Sequence, residues 1–203
     1  MKHLAAIAVA FFLAPVSANR CLASENLAVG AGSAEQPQGG PVKVTGVIYT
    51  KRGTYGDFGW MRLQSEFDDA FFVFNDNFEQ FSQHLQQPSS STGEGCEAGG
   101  GNATIRPWQC EMPPRAGGIP TGIKGGGYTS LTAEVKNTID HAIEAIKSSV
   151  DRFHFKRIFY SSCRKNVDQN CTLDDDLGTS IYQPSESVRA YIVNRLKSLD
   201  ATP

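Results

Sequence analysis

Leu131, Val135, Ile139, Ala142, Ile143, Ile146 and Val150 recur at spacings of three and four. This puts one apolar stripe along a long helix, with Ser130 as its N-cap. A second helix is expected from about Ser185. Its apolar face is Val188, Tyr191, Ile192, Leu196 and Leu199, with Glu186 in the first turn and Arg195 and Lys197 near the end. Between and before these stripes the pattern changes period. Residues 42–50 are β-branched and partly alternating, and read as a strand. Ala70-Phe71-Phe72-Val73-Phe74 is a short unbroken apolar run that stops at Asn75-Asp76-Asn77, as a buried central strand does where it exits into a polar turn. Residues 116–122 predict a short strand breaking into a glycine-rich turn over 122–127, and residues 153–161 another strand. Residues 78–87 are weakly amphipathic, and 102–106 open a short helix that Pro107 ends. Residues 51–60, 88–98 and 162–178 read as loops.

Short apolar strands alternating with amphipathic helices predict a layered α/β domain with a largely parallel sheet, over residues 42–203. Residues 1–18 have a short polar start, an apolar run and small residues at Val16-Ser17-Ala18, the pattern of a cleaved export signal. Residues 19–41 have linker composition, and disorder is expected there. A secreted or periplasmic protein with no membrane anchor after cleavage follows. Cys96 with Cys110 and Cys163 with Cys171 are plausible local disulfides that leave Cys21 over, although connectivity is not deducible from sequence. The formal net charge of −2 gives no field that gathers a polyanion, so nucleic acid is a poor partner.

In parallel-sheet folds, ligands sit beyond the carboxyl ends of the strands. The segments there are Asn75-Asp76-Asn77, Gly99-Gly100-Gly101-Asn102, Thr121-Gly122 with Gly125-Gly126-Gly127-Tyr128, and Ser161-Ser162. Small and amide-bearing residues of this kind suit a phosphate held by main-chain N–H groups, with side chains reading hydroxyls. The order is apolar strand, Asn-x-Asn, glycine triplet, Pro-Thr-Gly, glycine-rich turn, long helix, apolar strand. It resembles the macro domain, the ADP-ribose-binding family, and is similar to macro-like proteins of phages and bacteria, over most of residues 42–199.

The resemblance implies a single three-layer α/β/α domain with a largely parallel mixed sheet, binding ADP-ribose or a related NAD-derived nucleotide without cofactor or metal. Asn77 would place a ribose hydroxyl or a water, with Asn75 and Asn102 beside it. Gly99, Gly100 and Gly101 would let the backbone approach a diphosphate. Thr121, Gly122 and Ile123 would form the facing phosphate loop. Gly127 and Tyr128 would cover the distal ribose, with Phe159 or Tyr160 near the adenine. Any turnover would be hydrolysis of an ADP-ribosyl or phosphoester bond by a positioned water. The chain departs from the family in lacking an early Gly-Asp-Ile, for which Asp57 and Asp69 are imperfect substitutes. The alternative is a secreted interaction or effector module on the same fold, with no nucleotide activity.

Other residues have ordinary roles beside sharper ones. His84 and His141 are acid–base candidates, but a half-exposed structural histidine is the commoner outcome. Cys163 is a nucleophile candidate, with a disulfide favoured. For Asp174-Asp175-Asp176 a solvated loop is favoured over a Ca²⁺ site. Arg106 and Arg115 suit either phosphate or surface pairing. Asn75, Asp76 and Asn77 also suit capping of the helix that follows.

Overall fold

The computed structural model describes residues 41–86, 93, 95–123, 125–165, 168, 171 and 175–200. The export-signal and linker readings, Cys21, Lys124 and Asp174 lie outside them. The described residues belong to one compact unit, Pro37–Pro203. Among them, six strands form one sheet. These are β1 (Lys43–Ile48), β2 (Ala70–Asn77), β3 (Ala116–Ile123), β4 (Gly126–Gly127), β5 (Arg157–Cys163) and β6 (Asp176–Leu177). The order is β1-β5-β2-β3-β4, with β6 paired to β5 off that path. β1, β5, β2 and β3 run parallel; β4 and β6 are antiparallel to their neighbours. This is the mixed, mostly parallel α/β sheet that the alternation of strands and helices predicts.

Period-two alternation divides the strand side chains between two cores. Phe71, Val73, Ile158 and Tyr160 join one core with α3 (Ala133–Phe153) and α4 (Glu186–Lys197), through Ile139, Ile143, Ile146, Val188, Ile192 and Leu196. Phe81 of α2 (Phe78–Gln86) belongs to the same core. Phe72, Phe74 and Phe159 face the other core, beside Phe58 and Met61 of α1 (Phe58–Met61), Phe67 and Ile105. That second layer is thin. It is built from α1 and the 3₁₀ segments Ser65–Phe67 and Gly101–Cys110, because residues 51–69 and 95–115 carry no long helical stripe.

Several boundaries differ from expectation. Thr132, not Ser130, caps α3: its hydroxyl accepts from the Val135 N–H at 3.2 Å. Pro107 sits inside the 3₁₀ segment instead of ending a helix. Phe153 closes α3, His154 caps it in the left-handed region (φ 58°), and β5 starts only at Arg157. The 162–178 stretch contains β6, whose Asp176 is buried against Arg189 with Nε–Oδ2 3.1 Å. For that aspartate the solvated-loop reading is overturned. Cys96 is bonded to Cys110 and Cys163 to Cys171, as expected, and disulfides fit a compartment outside the reducing cytosol. No helix among the described residues is long and apolar enough to cross a membrane.

Tyr160 is fully buried, and its hydroxyl donates to the Asp175 carbonyl at 3.2 Å. Burial, helped by the charges of Asp175 and Asp176, pushes its pKa up to about 12. Folding therefore favours the protonated phenol. Its contribution to stability is complete below the unfolded pKa near 10 and is lost as pH rises through about 12. Urea unfolding is expected to show stability falling across that window, with a shallower fall in Tyr160→Phe.

β5 pairs with β2 only as far as Tyr160; beyond it, Ser162 and Cys163 pair with β6. β2 runs on beside β3 alone. Asn75 and Gly178 bridge the resulting gap: Asn75 Nδ2 donates to the Gly178 carbonyl at 2.7 Å, and the Gly178 N–H to the Ser161 carbonyl at 2.9 Å. This brings the chain that follows β6 over the end of β2.

Candidate functional site

A cleft of about 290 Å³ opens at the carboxyl end of β2. Asn75, Asn77 and Gln80 line it from the end of β2 and the first turn of α2. Gly99, Gly100, Asn102, Ala103 and Arg106 line it from the 3₁₀ segment and its approach. Ser180, Ile181 and Tyr182 line it from the chain after β6.

The polar groups are held in fixed orientations. Asn77 Oδ1 accepts the Gln80 N–H at 2.9 Å and so caps α2, which leaves its NH₂ group as a donor. Asn102 Oδ1 accepts the Asn75 N–H at 3.2 Å, which likewise leaves an NH₂. Gln80 Oε1 is buried with no hydrogen-bond partner. A buried acceptor without a donor costs about 1–3 kcal/mol, and a ligand hydroxyl donating to it would recover that.

Beneath the wall lies a buried ion pair. Arg106 Nε and Nη2 donate to Asp76 Oδ1 at 3.0 and 2.6 Å, and Nη1 donates to the Glu97 carbonyl at 2.8 Å. The side chains are 8% and 0% exposed, so this is not the surface pairing open to Arg106 from sequence. Burial pushes the Asp76 carboxyl above its ordinary range; the hydrogen bond and charge of Arg106 draw it partway back. Asp76 does not line the cleft, but it holds Arg106, which does.

Of the residues expected at the site, Asn75, Asn77, Gly99, Gly100 and Asn102 come together. Gly101 turns the chain at φ 60°, where a Cβ would also sit 2.8 Å from Ser180 Oγ. The expected second phosphate loop lies elsewhere. Gly122 pairs with Gly127 and Ile123 with Gly126 as a hairpin. Thr121 is fully buried; its hydroxyl donates to the Asp76 carbonyl at 3.2 Å, and its own carbonyl accepts the Tyr128 N–H. Residues 183–185 seal this hairpin: a Cβ at Gly127 would lie 2.3 Å from the Gln183 carbonyl carbon, and the Ser185 N–H donates to the Tyr128 carbonyl. Residues 180–182 supply the facing wall instead. Phe159 sits among Phe67 and Phe72, and Tyr160 in the α3–α4 core, so neither ring reaches the cleft.

Sequence reasoning left out Gln80, Ala103 and residues 180–182, and left Arg106 open between phosphate and surface pairing. The polar run Gly-Thr-Ser-Ile-Tyr at 178–182 follows a strand end, the signal used elsewhere, but the two-residue β6 was not legible. Asp57 caps α1 and Asp69 pairs with Arg157, so each has a structural role. Arg115 donates to the Ala70 and Phe67 carbonyls, and His141 is exposed on α3. His84 and Asp176 each lie within 4.8 Å of a cysteine pair. Both pairs are disulfides, whose sulfurs are not the thiolates a metal needs.

The chain matches no family model, no curated protein and no solved structure.

Proposed function

We propose that this cleft binds ADP-ribose or a related NAD-derived nucleotide through its ribose and adjacent phosphate, in an exported domain of the macro type. The observation that carries the reading is the convergence of Asn77, Asn102 and Gln80 beside Gly99 and Gly100. Two amide donors and one unpaired buried acceptor are suited to sugar hydroxyls and phosphate oxygens, and poorly suited to an apolar ligand. The volume is at the small end of ligand pockets, about 300–1,000 Å³, so it takes a sugar phosphate and leaves the rest of the nucleotide outside. The described lining residues include no carboxylate and no histidine. Among the described lining residues the only side chain of a common general acid–base type is the Tyr182 phenol, which favours binding over hydrolysis.

Calorimetric titration with ADP-ribose tests the reading. Asn77→Asp keeps an oxygen to cap α2 but replaces the free NH₂ with a negative charge. It is expected to weaken binding by at least about tenfold while leaving Tm within a few degrees of the parent. No heat from the parent protein, or equal binding by Asn77→Asp, counts against the proposal.

A second reading has its own support. The sealed hairpin removes one of the two phosphate loops, and Ile181, 59% exposed, stands at the cleft rim. A protein-interaction module predicts that Asn77→Asp is silent and that Ile181→Asp abolishes partner capture.

A further inference from the structure

The glycine triplet was expected to serve main-chain approach to phosphate. The packing at Gly99 suggests a different use. A Cβ there would lie 2.9 Å from Arg106 Nη2, 3.0 Å from Nη1 and 2.9 Å from Ala103 Cβ. Gly99, Ala103 and Arg106 all line the cleft. The small residues Gly99 and Ala103 thus let the terminal nitrogens of a guanidinium only 8% exposed pack into the cleft wall, where a larger residue at 99 would displace them. Each terminal nitrogen carries two N–H groups, and one bond from each is used, to Asp76 or to the Glu97 carbonyl. One N–H on each remains.

We infer that Arg106, packed into the wall at Gly99, is an anion subsite that takes a phosphoryl group, with Asp76 and the Glu97 carbonyl fixing the fork. The inference rests on the proposed ligand cleft and names the charged chemistry it selects. Three hydrogen bonds immobilise the guanidinium before any ligand arrives, so little side-chain entropy is lost on binding. Two adjacent N–H donors match two oxygens of one phosphate. Asp76 neutralises the pair at rest, which keeps the buried charge tolerable. An uncharged sugar hydroxyl could accept from the same N–H groups, but without the opposite charge that makes bonds to phosphate oxygens shorter and stronger, so the phosphoryl group is preferred.

The test uses the full chain with inorganic pyrophosphate as the probe, followed by calorimetry, and with ADP-ribose in parallel. The parent protein is expected to bind pyrophosphate, and Gly99→Ala to weaken it at least about tenfold without any change of charge. Because Arg106→Gln alone strands Asp76 and risks unfolding, the double variant Asp76→Asn/Arg106→Gln carries the charge test. It removes both ions together and is expected to fold and to lose pyrophosphate. Absence of pyrophosphate binding by the parent, or equal binding by the double variant, overturns the anion subsite. Pyrophosphate binding that depends on Arg106, without ADP-ribose binding, leaves the subsite standing and removes the nucleotide reading. ADP-ribose binding that is indifferent to Gly99 and Arg106 does the reverse.

Discussion

Arg106→Ala is expected to cost about 3–5 kcal/mol of folding stability, the usual penalty for stranding one member of a buried ion pair. The Asp76 carboxylate is 0% exposed and its Oδ2 already has no donor, so loss of the guanidinium leaves only the Asn77 N–H on its other oxygen. Even with Arg106 present, burial holds the Asp76 carboxyl above its ordinary range; without it the group moves further up. A folded pKa above the unfolded one means that the native state binds the extra proton, so stability falls as pH rises through the folded value. The deficit of Arg106→Ala against the parent is therefore expected to be largest at neutral pH and to shrink on acidification. Urea midpoints across that range measure it. A deficit independent of pH would show that lost packing, not a stranded charge, is responsible. Asp76→Asn/Arg106→Gln is expected to recover most of the loss.

The Cys96→Ser/Cys110→Ser variant is expected to lose about 3 kcal/mol, the chain-entropy value for a loop of about fifteen residues. The bridged cysteines are 14 residues apart. Between them lie Gly99, Gly100, Asn102, Ala103 and Arg106, one whole wall of the cleft. Most of that wall is a 3₁₀ run, Gly101–Cys110, with Pro107 inside it, so it has little helical cooperativity of its own. Loss of the bridge is thus expected to lower Tm and to weaken ligand binding together. Cys163→Ser/Cys171→Ser opens a shorter loop, with separation 8, and is expected to cost less. Thermal unfolding and ADP-ribose titration of both variants check the order. Equal losses, or intact binding in Cys96→Ser/Cys110→Ser, would contradict it.

Elements with a sustained period were the most legible in the sequence. The α3 and α4 stripes and the run at β2 identified the two longest helices of the main core and the central strand, because burial on one face or two imposes those spacings. The end of β2 was legible only in part: Asn75, Asp76 and Asn77 read as a polar turn beyond the strand, but they are its last three residues, held in the sheet by pairing with β3. What failed were features set by long-range pairing. β6 is two residues long, one of them an aspartate, and pairs with β5 where β5 and β2 part beyond Tyr160 and Val73. The ion pair of Asp76 and Arg106 joins residues 30 apart, which no local spacing encodes. Hence Thr121, Gly122 and Ile123 read as a phosphate loop, although Gly122 and Ile123 pair with Gly127 and Gly126, and residues 180–182, which line the cleft, carried no signal of their own.

The central claim is that ligand enters between Asn77, Asn102 and residues 180–182. The most direct measurement follows side-chain amide resonances during an ADP-ribose titration. The account predicts that the NH₂ signals of Asn77, Asn102 and Gln80 shift together and saturate, while the backbone amides of residues 121–128 stay still. Shifts confined to residues 121–128, or no saturable shift at those three amides, would contradict it.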